Sequence, residues 1–443
     1  MWLKYLPSSI RSRLERNENL RAAVANTGWL FADKIVRILV GLLVVIWIAR
    51  YLGPQQFGLY NYALALVALF GVAASLGLDG VVVRELVREP HTRDDLLGTS
   101  LALRLIAALT TVALCILAIN ILRPNDTPAH WIVAVIAMGT IFQAFDVIDL
   151  WFQSQVKSKY TVLAKNTAFI LASASKIILV VAQAPLIAYA WVTMLEAAIG
   201  SAGLVIAYMS KNGRLTEWRF RIQKGAYLLK ESWPLMLSGI AIMTYMKIDQ
   251  VMLATMLDDR AVGIYSAAAQ ISEVWYFIPM AITASVTRSL VEAKMSNEGL
   301  YHHRIERLFR LMGIIAASIT IPMTFAADIM VHILFGADYA DAGPVLAVHI
   351  WSTLFVFIGV AQGPWTLNEG LMKLALIRTA LGAIANVAMN ILLIPAYGPL
   401  GAALATVISY ALSAVALNAI DARTRKIFIM QLNAFNPWAI FKR

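Results

Sequence analysis

The chain has 443 residues, of which 60% are apolar and 14% are charged, and its mean hydropathy is +0.70. Soluble domains carry roughly 25% charged residues, so this composition excludes a soluble protein and indicates an integral membrane protein. The net charge of +11 is explained below by membrane orientation, so nucleic acid is not expected as a partner. The single cysteine, Cys115, excludes a disulfide framework and a thiolate metal site.

Residues 1–27 are polar and basic and precede any apolar stretch, so we expect no cleavable signal peptide here. Their mixture of apolar and basic side chains predicts an interfacial helix on the cytoplasmic leaflet, with a disordered basic tail as the alternative. Twelve apolar stretches then follow, each about as long as a membrane crossing requires. They are residues 28–51, 58–78, 99–122, 130–150, 161–182, 186–209, 231–256, 263–287, 311–334, 344–365, 374–395 and 400–420.

The positions of Lys and Arg predict which helix ends face the cytoplasm. With a cytoplasmic N-terminus, the basic residues between the spans fall on the cytoplasmic side, and only Arg123 and Arg260 fall on the other side. This distribution follows the positive-inside rule. We therefore expect a multi-pass protein with both termini in the cytoplasm.

A sequence repeat relates the two halves of the chain. Residues 52–60 (LGPQQFGLY) and 257–265 (LDDRAVGIY) share Leu, Gly and Tyr after a shift of 205 positions. Six spans separate the copies, so the halves have the same orientation in the membrane. The pattern predicts an all-α integral membrane protein with twelve transmembrane helices, in two pseudo-symmetric six-helix lobes around a central cavity, as in alternating-access transporters. The predicted parts are an N-lobe over 28–209, a basic linker over 210–230, a C-lobe over 231–420 and a basic cytoplasmic tail over 421–443.

Basic residues inside the spans are candidates for substrate binding. A cation at the bilayer centre costs roughly 2.5–3.5 kcal/mol, so such residues are expected to face a protein interior. Lys176 and Lys247 lie centrally in their spans, and Arg37 lies one turn after Lys34 on the same helix face. These four residues predict a cationic lining that binds an anion.

Two other roles stay open for the charges inside the spans. The cations can be paired internally, because Asp33 lies four residues before Arg37 and three further carboxylates also fall within spans. An intramembrane carboxylate can also carry a proton or a sodium ion that couples transport to a gradient. The candidates for ion coupling are Glu196, Asp249 and Glu273.

Motifs for catalysis and cofactor binding are missing from the sequence. The chain has no G-x-x-x-x-G-K-[ST] phosphate loop, no G-x-G turn and no G-x-S-x-G elbow. Its six histidines show no metal-ligand spacing. We therefore expect a protein that is not an enzyme, with no catalytic residues, no cofactor and no metal site.

Several motifs resemble the bacterial polysaccharide flippases, which form one family in the superfamily of multidrug, oligosaccharidyl-lipid and polysaccharide exporters. Residues 149–154 (DLWFQS), followed by Lys157 and Lys165, resemble that family's junction between spans 4 and 5. Residues 386–406 (NVAMNILLIPAYGPLGAALAT) are similar to its signature over spans 11 and 12. Residues 52–60 resemble its first outer turn, and Asp249-Gln250 resembles a recurring position in span 7.

The resemblance implies a flippase of the bacterial inner membrane. Its cargo would be an undecaprenyl-diphosphate-linked oligosaccharide, moved from the cytoplasmic to the outer leaflet for O-antigen, capsule or exopolysaccharide assembly. Membrane lipid and a polysaccharide polymerase and ligase complex are the implied partners. Under this hypothesis Lys176, Lys247, Arg37 and Lys34 hold the diphosphate, since Lys is a compact phosphate partner.

Two other functions compete with this interpretation. A cation-coupled multidrug extruder of the same fold would be expected to line its pathway with carboxylates and aromatic side chains rather than lysines. A scaffold that recruits glycosyltransferases would bind the same lipid without moving it. Transport of ethidium-like dyes would support the extruder, and binding of the lipid without flipping would reveal the scaffold.

Overall fold

The structure is a computed structural model that describes residues 18–211 and 213–434, with side chains from Arg37 onward. Residues 1–17 of the predicted interfacial segment, residues 435–443 of the tail, and the side chains of Asp33 and Lys34 lie outside it. All regular structure in the described ranges is helical. The α-helices are α1 Glu18–Ser75, α2 Leu78–Arg88, α3 Arg93–Leu122, α4 Thr127–Gln143, α5 Val147–Ser154, α6 Lys159–Val181, α7 Leu186–Met209, α8 Ile222–Met256, α9 Asp259–Glu273, α10 Phe277–Ser296, α11 Glu298–Phe335, α12 Ala342–His349, α13 Ser352–Asn368, α14 Met372–Ala414 and α15 Arg425–Ala434.

Many of these helices present apolar side chains outward, as a bilayer requires. Val181, Ile121 and Phe325 are among the large apolar residues that are more than two-thirds exposed. Within the described residues, nine helical segments are long and apolar enough to cross a membrane. The chain is therefore a multi-pass membrane protein.

Two of these nine segments are broken by a glycine where the sequence predicts a turn. The segment Arg37–Arg88 contains Gly53 at φ 66°, and the segment Met372–Ala419 contains Gly398 at φ 57°. A left-handed backbone favours glycine, and the proline that follows each of them is suited to the first position of a new helix.

The described chain forms two compact units. The first unit consists of residues up to Val45 together with Phe70–Leu237. In it, α6 and α4 both pack against α7, and α3 packs against α4. Its core is built from aliphatic side chains of α2, α3 and α5 with Phe152 and Tyr208.

The second unit consists of Ile46–Leu69 together with Ser238–Arg443. Here α11 packs against α12 and α13, while α14 packs against α12 and α13. A buried cluster that includes Phe309, Met312 and Phe357 fills the interior. This arrangement places the polar residues of α8, α9 and α14 close together.

The two copies of the sequence repeat meet inside the second unit. A Cβ atom on Gly58 would overlap the backbone carbonyl of Asp259, and one on Gly263 would overlap the carbonyl of Pro54. Each copy therefore needs glycine because the backbone of the other copy lies against it. This reciprocal contact gives a physical reason for the glycine that the two copies share.

Candidate functional site

A polar cavity of about 380 Å³ lies in the first unit. Its wall combines neutral hydrogen-bonding side chains such as Thr140, Gln143 and Gln153 with ionised ones. The ionised residues of the wall are Asp79, Arg104, Asp146, Asp149 and Lys165. The wall of this cavity therefore carries both positively and negatively charged side chains.

The cations of this cavity are paired. Lys165 Nζ lies 2.9 Å from Asp146 Oδ1 and 3.2 Å from Asp149 Oδ2. Arg104, which is only 4% exposed, forms an ion pair with Asp79. The cavity thus offers donors and acceptors of both signs rather than a purely cationic surface.

Three of the predicted site residues come together beside a neighbouring cavity of the first unit. Arg37 and Glu196 both line this cavity, which has a volume of about 320 Å³. Lys176 Nζ lies 3.3 Å from Glu196 Oε2. The guanidinium of Arg37 lies 5.1 Å from the centre of the Phe169 ring, a cation–π distance. The side chain of Lys34 is outside the described residues.

The second unit contains a similar lysine–glutamate pair. Lys247 on α8 places its Nζ atom 3.6 Å from Glu273 Oε2 at the end of α9. The two side chains are 25% and 27% exposed, so the pair is only partly shielded. Both predicted central lysines therefore have a carboxylate partner, and neither pair is sealed from its surroundings.

Asp249 is the most deeply buried of the predicted carboxylates, at 1% exposure. Its Oδ2 atom accepts hydrogen bonds from the Tyr265 hydroxyl at 2.7 Å and the Thr406 hydroxyl at 2.7 Å. Its Oδ1 atom accepts from Asn390 Nδ2 at 2.5 Å. All these donors are neutral, and no cation of the described residues lies within 4 Å of the carboxylate.

One buried oxygen in the surroundings of Asp249 has no hydrogen-bond partner. Asn390 also donates to Asn386 Oδ1 at 3.1 Å, while its own Oδ1 atom is buried without a hydrogen-bond partner. Carboxylate, amide and hydroxyl oxygens are the ligands that hard cations prefer. In the part of the chain that the structure describes, no group of three His, Cys, Asp or Glu residues is placed to bind a metal.

Sequence reasoning singled out Asp249 but missed the neutral groups around it. In the sequence, Tyr265 stands out only as a residue of the repeat. Asn390 and Thr406 stand out only as residues of the signature over 386–406. The spacing of Asn386 and Asn390 was the available signal, because two amides four residues apart share one face of an apolar helix. The sequence likewise does not predict the ion pair between Arg104 and Asp79, because the two residues lie 25 positions apart.

A comparison with protein families gives a match over residues 23–291, more than half of the chain, to the family described as polysaccharide biosynthesis protein. One similar relative is the capsular polysaccharide biosynthesis protein CapF of Staphylococcus aureus. It is 21% identical over 401 residues, which cover 87% of this chain and 96% of that protein. These matches confirm the resemblance that the sequence motifs indicated.

Two solved structures share the fold. An inward-facing multidrug resistance MATE family transporter superposes with a TM-score of 0.73 at 16% identity, covering 93% of this chain and 99% of that one. The lipid II flippase MurJ in an inward closed conformation superposes with a TM-score of 0.70 at 14% identity, covering 93% and 90%. At these identities the likeness shows the fold alone.

Proposed function

The chain belongs to the polysaccharide biosynthesis protein family, and we propose from this membership that it is a flippase for a lipid-linked sugar. Its cargo would be an undecaprenyl-diphosphate-linked oligosaccharide, moved by alternating access from the cytoplasmic to the outer leaflet. The product would serve O-antigen, capsule or exopolysaccharide assembly, and the protein would perform no covalent chemistry itself. The observation that carries the proposal is the family match, since it covers the first unit from residue 23 onward and part of the second.

The proposed topology has twelve crossings in the inner membrane, with both termini in the cytoplasm. The segments Arg37–Arg88 and Met372–Ala419 are 52 and 48 residues long, and each contains a glycine break. Each is long enough for two crossings, because one crossing needs about 20 residues. With α8 as a further crossing, the count is twelve. The proposed lobes, 28–209 and 231–420 joined by the linker 210–230, follow chain order and differ from the two compact units in the placement of Ile46–Leu69 and of residues 231–237.

We propose that Lys176, Lys247, Arg37 and Lys34 contact the diphosphate during transport. The partial exposure of the lysine–glutamate pairs supports this role, because a partly solvated ion pair is weak and can exchange its partner. Glu196 and Glu273 would then compete with phosphate for the lysines and release the cargo. Permanent internal pairing is the alternative, in which the lysines never contact cargo.

We propose that Asp249 is the principal coupling carboxylate, carrying a proton or a sodium ion. Its support is the absence of a cation partner within 4 Å among the described residues, whereas Glu196 and Glu273 each contact a lysine. A buried carboxylate without a counter-charge is costly unless it binds a cation or a proton. Glu196 and Glu273 remain the other two candidates.

The flippase proposal is tested by mass spectrometry of isoprenoid-linked glycans from cells with and without this protein. Deletion should cause one defined lipid-linked oligosaccharide to accumulate, and re-expression of the wild-type chain should clear it. No accumulation, with the later glycosyltransferases intact, would contradict the proposal. The second candidate, a cation-coupled multidrug extruder of the same fold, would instead be shown by efflux of ethidium-like dyes.

Complex formation with a polysaccharide polymerase and ligase is a separate proposal. The expected result is co-purification of both enzymes with the tagged chain from native membranes. A membrane protein of similar size from the same cells is the control, because non-specific association would recover the enzymes with both.

A further inference from the structure

An apolar cavity of about 400 Å³ lies inside the second unit, among α8, α10, α13 and α14. This volume is within the range of roughly 300–1,000 Å³ that is usual for small-molecule sites. The cavity is separate from the Asp249 carboxylate, which does not line it. Its wall is formed mainly by aromatic and aliphatic side chains, among them Tyr245, Met246, Phe355, Val360 and Tyr410.

One charged residue, Arg378 on α14, also lines this cavity. It is 7% exposed, its Nε atom is buried without a hydrogen-bond partner, and no carboxylate of the described residues lies within 4 Å of its guanidinium. When the amide oxygen of Gln362 faces the guanidinium, it accepts hydrogen bonds from both terminal nitrogens of Arg378, from Nη1 and, at 3.1 Å, from Nη2. A buried cation with only a neutral partner is unfavourable, so an anion bound beside Arg378 would be stabilising.

The nearby carboxylate of Asp421 does not supply that anion. It accepts from Arg423 Nε at 3.0 Å and from Arg423 Nη2 at 2.8 Å. These bonds are the main reason that the pKa of Asp421 is lowered to about 2, and Arg378 adds only a weaker, more distant influence. The carboxylate of Asp421 is thus already paired with Arg423, and the positive charge of Arg378 is left for a ligand to neutralise.

We propose that this cavity binds one anionic phospholipid of the bilayer, with Arg378 on its phosphate and an acyl chain along the apolar wall. A free phosphate would leave the apolar wall uncovered, and a lipid without a phosphate, such as diacylglycerol, would leave Arg378 uncompensated. A prenyl diphosphate carries more negative charge than one guanidinium balances. The predicted topology places Arg378 at the cytoplasmic end of its span, where the leaflet is rich in anionic lipid. The assignment does not depend on the proposed function.

The experiment titrates phosphatidylglycerol or diacylglycerol, which has the same acyl chains but no phosphate, into the delipidated full-length protein and counts bound lipids by native mass spectrometry. Diacylglycerol has no phosphate to accept a hydrogen bond from Arg378, so phosphatidylglycerol should bind at least about tenfold more tightly than diacylglycerol, the factor that about 1.4 kcal/mol of charge-assisted hydrogen bonding gives. Arg378→Gln should remove this preference, and Arg378→Lys should keep part of it. Ala375→Leu should weaken binding of both lipids, because Ala375 lines the same cavity one turn before Arg378.

Arg288→Gln is the matched control. The Arg288 side chain is 81% exposed and pairs with Glu292 four residues later on the same helix, so its loss removes one positive charge without touching the cavity. Size-exclusion profiles and thermal unfolding would establish that each variant is folded. Arg378→Gln is expected to fold, since it removes a buried charge that lacks a counter-ion.

Several results would overturn the assignment. Equal binding of the two lipids to the wild type, an unchanged preference in Arg378→Gln, or an equal loss in Arg288→Gln would each exclude a phosphate site at Arg378. Unchanged binding in Ala375→Leu would exclude the acyl chain from this cavity. Recovery of a polyprenyl phosphate from the purified protein, absent from Arg378→Gln, would assign the cavity to cargo instead of bilayer lipid.

Discussion

Replacing Asp249 by Asn tests the coupling role of the buried carboxylate with little change in shape. The amide can turn its oxygen towards Tyr265 and Thr406, which donate to Oδ2, and it then loses only the bond from Asn390 to Oδ1. A hydrogen bond to a charged group contributes about 1.5–3 kcal/mol, which is less than the usual free energy of unfolding of a domain, so the variant should fold. Asp249→Ala would instead remove the acceptor that Tyr265, Thr406 and Asn390 share, leaving these donors only their longer contacts to each other, to Ala402 and to Asn386, and is not a suitable test.

The expected functional loss can be estimated from the charge that Asp249 would carry. Moving one elementary charge across a potential of about 100 mV is worth about 2.3 kcal/mol. This free energy corresponds to a factor of about 40 in the cargo gradient that the transporter can sustain, since about 1.4 kcal/mol is tenfold. Asp249→Asn cannot bind the coupling ion in the same way, so it should lose most of this factor while still equilibrating cargo down its gradient.

The assay measures transfer of a labelled lipid-linked oligosaccharide across proteoliposomes, with and without an imposed proton or sodium gradient. Asp338→Asn is the control, because Asp338 lies exposed in the turn after α11 and undergoes the same chemical change. Wild type and control should accelerate in the gradient and Asp249→Asn should not. A gradient response in Asp249→Asn equal to that of the wild type would refute Asp249 as the coupling group.

Other predictions concern cargo binding and stability. Replacing both Lys176 and Lys247 by Ala should slow clearance of the lipid-linked glycan roughly tenfold or more, because two charge-assisted contacts to phosphate are lost; unchanged clearance in cells would contradict their role. Glu196→Gln should tighten binding of a polyprenyl diphosphate by removing the competitor for Lys176, and weaker binding in a titration would contradict the proposed competition. Gly263→Ala should lower the free energy of unfolding by about 1–3 kcal/mol through overpacking against a backbone carbonyl. Gly80→Ala, where a Cβ meets no atom within 4 Å, should leave thermal unfolding unchanged, and equal behaviour of the two variants would contradict the close contact.

Hydropathy alone predicted the apolar helical segments of this chain. Bilayer thickness fixes the length of a crossing, so an apolar stretch predicts a helix without knowledge of its neighbours. Gly53 and Gly398 mark turns that the sequence also predicted, since each precedes a proline at the boundary of two apolar stretches. Topology mapping tests the proposed count of twelve crossings, and the transport assays test the proposed roles of the site residues.

The sequence predicts that lysines inside the spans form ion pairs, but it does not predict which carboxylate pairs with which lysine. The sequence showed that Glu196 and Glu273 were available to neutralise central lysines, because charges at membrane depth seek partners. It did not show which lysine each would meet, since the partners lie on different helices. The structure places Glu196 with Lys176 and Glu273 with Lys247, at 3.3 Å and 3.6 Å.

Composition, hydropathy and short motifs by themselves determined the class of this protein: a helical membrane protein with a glycine-containing repeat and a family resemblance. Tertiary structure alone decided the chemistry around Asp249, whose donors Tyr265 and Thr406 lie 16 and 157 positions away. It also decided that Arg378 is buried without a carboxylate partner, although the sequence places it near a helix end. The physical reason is that hydropathy is a local property of a chain in a bilayer, whereas the partner of a buried polar group depends on which helices pack together.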